Sequence, residues 1–196
     1  GMKPVAAGAM DGPEGRANED ALLLQAESGV RHPYADVNPV LFEPAIAPHI
    51  AAAEAGVAIG ADRIAAAHGR LCVGAEILLA EGAGGFLVPL DAGRSCADLP
   101  GLLGLLGMEV LLVVGLRLGC LNHALLTAEA IAARGLAFSG WIGNGIVPDF
   151  ARREANIETL TARLPAPCLG IVPWMAKPSV GEAAAALSGA QRLRAC

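Results

Sequence analysis

The chain has 196 residues, of which 54% are hydrophobic and only 17% charged, with a formal net charge of −5. That length can bury the core of one ordinary domain, and the apolar excess suits a sheet covered on both faces. The acidic balance, with no Lys/Arg cluster, excludes a general nucleic-acid binder. Five scattered cysteines without a C-x-x-C pair point to reduced thiols in a cytoplasmic protein, and the four histidines show no metal-ligand spacing.

The start, GMKPVAAG, lacks a basic region followed by an apolar one, so no secretory signal is expected. Residues 2–7 read as the end of a short strand, followed by a glycine-rich loop to about residue 17. Residues 19–29 are helical in pattern, with Asn18 as the cap. The segment 32–49 carries four prolines and reads as mostly irregular, after which helices are expected over 49–55 and 60–71. Strand signals follow at 75–82, 109–116, 138–146 and 168–173, with helices near 96–106, 121–134 and 150–163 and a terminal helix over 182–196.

Residues 99–119 are long enough to span a bilayer, but Glu109 and Arg117 interrupt them, and charges are costly in lipid. The stretch reads as a short helix turning into a buried strand, and no membrane partner is expected. Strands alternating with helices predict right-handed crossovers and a mostly parallel sheet in a single domain over 1–196. Ligands in such sheets sit beyond the carboxyl ends of the strands. Glu81, the segment Gly115 to Asn122, Asn144 and Pro173 all fall there, along one predicted edge.

Residues 79–90, LAEGAGGFLVPL, end an apolar run with a carboxylate among glycines. Taken alone, Glu81 reads either as a solvated strand-end acid or as a group that meets a charged ligand. Asp20 alone reads as an ordinary first-turn helix acid, Lys3 as a solvated lysine, and Asn144-Gly145 as a turn.

Together with GMKPVAAG, NEDALLL, VNPVLFEPAIAPH, VGLRLGCLNHALLT, GWIGNGIVP and GIVPWM, that stretch makes seven motifs in order from residue 1 to about 178. The chain resembles the dethiobiotin synthetases, ligases of biotin biosynthesis in the P-loop nucleotide-hydrolase superfamily. The resemblance implies a three-layer, doubly wound α/β fold and a cytoplasmic homodimer. It also implies ATP- and magnesium-dependent closure of a ureido ring on 7,8-diaminopelargonate with carbon dioxide, through a carbamate and a carbamic-phosphoric anhydride. By the same resemblance Lys3 faces the carbamate and the transferring phosphoryl group, and Asp20 and Glu81 serve the magnesium and nucleotide. Gly82, Ala83 and Gly84 pass close to the phosphates. Asn144 reads the adenine edge, and Pro173, Trp174 and Met175 line the base pocket.

Leu118, Gly119, Cys120 and Asn122 would receive the substrate's carboxylate tail across the dimer interface, although Asn122 could also cap the following helix. Ala7 stands where the family usually has a serine that bonds the substrate. The family's glycine-rich phosphate loop, G-x-x-x-x-G-K-[ST] in outline, occurs nowhere in the 196 residues. The expectation is therefore a sheet missing its first strand and phosphate loop, in a chain that starts too far downstream and is weakly active or inactive. A naturally degenerate paralogue is the other explanation of the missing loop, and the alternative functions are a non-catalytic homodimeric ligand-binding remnant and a nucleotide domain of the cobyrinate-synthase type.

Overall fold

The computed structural model describes residues 1–13, 15–99, 108–187 and 189. Described residues up to 99 fall in one compact unit and those from 108 to 189 in a second. Parallel and antiparallel strands with accompanying helices make this an α/β protein of the P-loop-like kind. Among the described residues no helix is long and apolar enough to cross a membrane.

In the first unit β1 (Val5–Ala7) is followed by a hairpin of β2 (Met10–Gly12) and β3 (Gly15–Ala17), then α1 (Glu19–Ala26) and α2 (Tyr34–Val37). Next come β4 (Val40–Phe42), α3 (Pro48–Glu54), α4 (Ala61–Leu71) and a 3-10 turn at Cys96–Asp98. β1 pairs parallel with β4, Val5 opposite Val40 and Ala7 opposite Phe42. Asn18 caps α1 by accepting from the Ala21 N–H at 3.3 Å, and two acids in the first turn suit the helix dipole. α4 buries Ile64, Ala67, His68 and Leu71, one stripe at helical spacing.

Three expectations change here. The segment 32–49 is less irregular than its prolines suggest, because each stands at an element boundary. Pro33 precedes α2, Pro39 and Pro44 bracket β4, and Pro48 opens α3, where a missing N–H costs nothing. The glycine-rich loop is a hairpin, β2 pairing antiparallel with β3. The apolar run 75–82 forms no strand of its own. It meets Met2 in a single parallel bridge at Ala80, with Met2 N–H donating to Leu79 O at 2.7 Å and Glu81 N–H to Met2 O at 2.8 Å. Ile77 and Leu79 keep about half their surface in solvent, at 50% and 53%.

The second unit is a parallel sheet in the order β5 (Glu109–Gly115), β6 (Ala137–Asn144), β7 (Cys168–Val172), with α5 (Cys120–Ala133), α6 (Arg153–Arg163) and α7 (Val180–Ala185). Its core joins Val114, Leu116, Cys120, Ala124, Ala128, Trp141, Leu160 and Leu164. The small residues on the buried side of α5 allow close approach of the helix to the sheet, and Trp141 is fully buried. Val113 of β5 is 58% exposed, so this run is less covered than a doubly buried strand. The expected helix near 96–106 and the terminal helix over 182–196 lie largely outside the described residues. Only the turn at Cys96–Asp98 and the first turns of α7 represent them.

Candidate functional site

The most unusual side chain of the first unit is Lys3. A lysine is almost never fully buried unless it is paired, and only 6% of this one reaches solvent. Its Nζ donates to Glu81 Oε1 at 2.7 Å, Asp20 Oδ2 at 2.9 Å and Gly82 O at 3.2 Å. Burial by itself pushes the ammonium down, but the bonds to Glu81 and Asp20, with their negative charges, outweigh it and hold Lys3 above its usual value. Lys3 is therefore a fixed positive charge.

Backbone pairing sets this geometry. The Met2 bridge to Leu79 and Glu81 brings the acid beside Lys3, while the capped start of α1 delivers Asp20 from the other side. The two carboxylates remain half exposed, at 51% and 52%, and Asp20 and Lys3 line an open cleft of about 360 Å³. That cleft is lined by Lys3, Ala6, Ala7, Asn18, Asp20, Ile46, Ala47, Pro48, Ala83, Gly84 and Val88. Gly84 adopts φ of +81°, and a Cβ there would come within 3.3 Å of Val88, so the turn favours glycine. Behind it the buried Cys96 thiol donates to Ala83 O at 3.8 Å. Burial pushes that thiol up, which makes it packing and not a nucleophile.

In the second unit Asn144 ends β6 beside Gly115, and its carbonyl accepts from Leu116 N–H at 2.7 Å. Gly145 lets the next turn close. Its N–H donates to Val172 O at 2.8 Å, and a Cβ would stand 2.5 Å from Trp174 N. Asn144 is thereby held next to the Pro173–Trp174 backbone, with Trp174 43% exposed. Met175 follows directly, partly buried. The loop after β5 shows Leu118 at 91% exposure and Gly119 at φ of +94° as the N-cap of α5. Asn122 therefore does not cap α5; it lies exposed in the first turn. Cys120 is buried and its N–H already donates to Arg117 O at 3.0 Å.

A family model described as an AAA domain matches residues 2–180. The ATP-dependent dethiobiotin synthetase of Pseudomonas paraeruginosa is 51% identical over 185 residues, which cover 94% of this chain and 79% of that protein. The proteins of the same name from Marinobacter nauticus and Cellvibrio japonicus are 47% and 48% identical, over 95% of this chain and 80% and 81% of theirs. The chain belongs to the dethiobiotin synthetase family.

Of the positions singled out by resemblance to the dethiobiotin synthetases, Lys3, Asp20, Glu81 and Gly82 are in direct contact, and Ala7, Ala83 and Gly84 share the cleft. In the second unit Asn144 pairs with Val172, and the following Gly145 meets the Pro173–Trp174 backbone. Among the described residues no cluster of three or more His, Cys, Asp or Glu forms a metal cage. Asp20 Oδ2 and Glu81 Oε1 are taken by the Lys3 ammonium, so magnesium would be held by the other oxygen of these carboxylates, one or two of which fit an ion that completes its shell with phosphate and water. Sequence reading passed over Tyr34 and Asn38, which stand behind the cleft, and Ile46 and Val88, which wall it. The available signal was Asn38 in an apolar neighbourhood, between Val37 and the Pro39-Val40 step.

Proposed function

We propose that the protein is an ATP-dependent dethiobiotin synthetase, closing the ureido ring on 7,8-diaminopelargonate with carbon dioxide in biotin biosynthesis. The observation that carries this is the buried Lys3 held between Asp20 and Glu81 beside an open cleft, in a chain about half identical to proteins of that name. One amine of the substrate adds to carbon dioxide and loses a proton, giving a carbamate. A carbamate oxygen attacks the γ-phosphorus and ADP leaves; the second amine then attacks the carbonyl carbon, loses its proton, and phosphate departs.

Lys3, a compact charge, stands beside the carbamate oxygen and the transferring phosphoryl group and stabilises charge that grows there. Asp20 and Glu81 would hold magnesium, which when bound neutralises the phosphate oxygens. The Gly82–Gly84 backbone passes close to the phosphates, Ala7 borders the diamine, and the apolar Ile46 and Val88 exclude water from its chain. Asn144 offers both donor and acceptor to an adenine edge, with Pro173, Trp174 and Met175 against its face. Leu118, Gly119 and Asn122 receive the substrate's carboxylate across a homodimer interface, where the exposed Leu118 becomes covered. In this reading the chain is a single domain of a cytoplasmic enzyme.

No G-x-x-x-x-G-K-[ST] motif occurs in these 196 residues, so the phosphate cradle is the part of the site that the test supplies separately. The test is dethiobiotin formation from diaminopelargonate, bicarbonate and magnesium-ATP, by this chain and by the chain preceded by a family phosphate-loop segment. Low turnover in the first that rises by orders of magnitude in the second is expected. No ATP-dependent product from either rejects the synthetase, and binding of diaminopelargonate without turnover would favour a ligand-binding remnant.

A further inference from the structure

A directed chain of hydrogen bonds runs behind the cleft and connects the Lys3 backbone to the start of α1. The Tyr34 hydroxyl accepts from the Asn18 backbone N–H at 2.7 Å and donates to Asn38 Oδ1 at 2.9 Å. Asn38 Nδ2 donates in turn to Lys3 O at 2.7 Å and Val40 O at 3.1 Å. The directions are forced. Two carbonyls can only accept, so the amide nitrogen faces them and the amide oxygen faces the hydroxyl, whose single proton it takes. The hydroxyl then has lone pairs left for Asn18.

Backbone bonds lock the same residues: Lys3 N–H donates to Val37 O and Asn38 N–H to Tyr34 O, both at 2.8 Å. Asn38 is only 3% exposed, so losing a partner leaves a polar group stranded away from water. The two ends of this chain are the two sides of the ion pair. One end is Lys3 itself; the other is Asn18, the cap of the helix whose second residue is Asp20. The 2.9 Å contact from Lys3 Nζ to Asp20 Oδ2 therefore closes a ring that returns through α1, Asn18, Tyr34 and Asn38 to the Lys3 backbone. Tyr34 and Asn38 do not line the cleft.

We infer that Tyr34 and Asn38 are positioning residues of the proposed ring-closing site, fixing the distance between Lys3 and Asp20 from behind. The inference rests on the proposed function for its activity readout, and on cation binding for a readout independent of turnover. The variants are Tyr34→Phe, which keeps the ring and removes the link, Asp20→Asn, and the pair combined. Asn38→Asp, which keeps the acceptor and removes both donors, serves as a second break in the chain.

Manganese(II) alone is titrated by electron paramagnetic resonance, and steady-state ring closure is measured with magnesium-ATP. Tyr34→Phe is expected to weaken manganese binding and lower kcat, each by about tenfold, with KM for diaminopelargonate within about twofold. In the Asp20→Asn background the same change should alter either quantity by less than about twofold, because the two residues act as one unit. Asn38→Asp should follow Tyr34→Phe in direction. An equal loss from Tyr34→Phe with and without Asp20, or unchanged manganese affinity in Tyr34→Phe, overturns the inference. If neither this chain nor the chain preceded by a phosphate-loop segment makes dethiobiotin, the proposed function fails while the manganese cycle still decides the positioning role.

Discussion

Replacing Lys3 by methionine keeps the length of the buried stem and removes only the charge. Three acceptors lose their donor: Glu81 at 2.7 Å, Asp20 at 2.9 Å and Gly82 O at 3.2 Å. Charge-assisted bonds contribute about 1.5–3 kcal/mol each, so two of them set an upper bound of about 3–6 kcal/mol. Two effects reduce it. Both carboxylates are half exposed and regain water, as surface partners do, and the variant no longer buries an ammonium. The two acids, left facing each other without the cation, act against this relief. A net loss of about 1–2 kcal/mol is expected, or a fall of about 2–8 °C in Tm for a chain of this size. The measurement is thermal and urea unfolding of both proteins in a chelating buffer, at neutral and alkaline pH. Because Lys3 is held above its ordinary value, its stabilisation is complete below the unfolded lysine value of about 10.4 and disappears as pH rises through the folded one. The two stability curves should therefore run parallel near neutrality and converge above that pH. A methionine variant as stable as the unmodified protein at pH 7, or a gap that widens with alkali, would refute the reasoning.

Gly145→Ala puts a Cβ 2.5 Å from the Trp174 nitrogen, backbone that cannot rotate away, and should cost about 1–3 kcal/mol in denaturant unfolding and weaken ATP binding in calorimetry. Trp141→Ala empties the largest fully buried side chain of the second unit and should cost about 3–5 kcal/mol. Trp141→Phe, which removes a buried Nε1 that has no partner among the described residues, should cost less than about 1.5 kcal/mol. Tyr34 is the sole tyrosine, so tyrosinate absorbance reports it alone; burial should place its midpoint above 10, despite the opposing bond from Asn18 N–H, and a midpoint at or below 10 contradicts the buried hydroxyl. Ala7→Ser adds a donor to the cleft wall and should lower KM for diaminopelargonate about threefold to tenfold, worth about 1 kcal/mol, with Tm unchanged.

Helices announced themselves where caps and spacing agreed, as with Asn18 before α1 and the Ile64, Ala67, His68, Leu71 stripe of α4. The strands β5, β6 and β7 were legible as apolar runs bounded by glycine, asparagine and proline. The β2–β3 hairpin was not, because strands of three residues are too short to show an alternating pattern and pair through their backbone. β4 was hidden by prolines whose effect depends on which side of an element they occupy. The run 75–82 has strand composition, yet composition reports a readiness to pair, and the only backbone partner of Ala80 among the described residues is Met2.

The site was legible to a different depth. No periodicity could connect Lys3 to Asp20 and Glu81, 17 and 78 residues away, and each alone carries an ordinary explanation. Only the order of several motifs singled them out. That same order said nothing about Tyr34 and Asn38, because their role is expressed through hydrogen-bond direction. Asn38-Pro39 reads as a turn, and a turn needs no buried amide. Folded, the amide is nevertheless almost inaccessible and satisfies two carbonyls and a hydroxyl together. The bond that connects it to the site, to Lys3 O, spans 35 residues and leaves no local signature. The physical argument for such a residue begins from burial without a missing partner, and it is strongest when the far ends of its bonds lie, as here, on opposite sides of an ion pair.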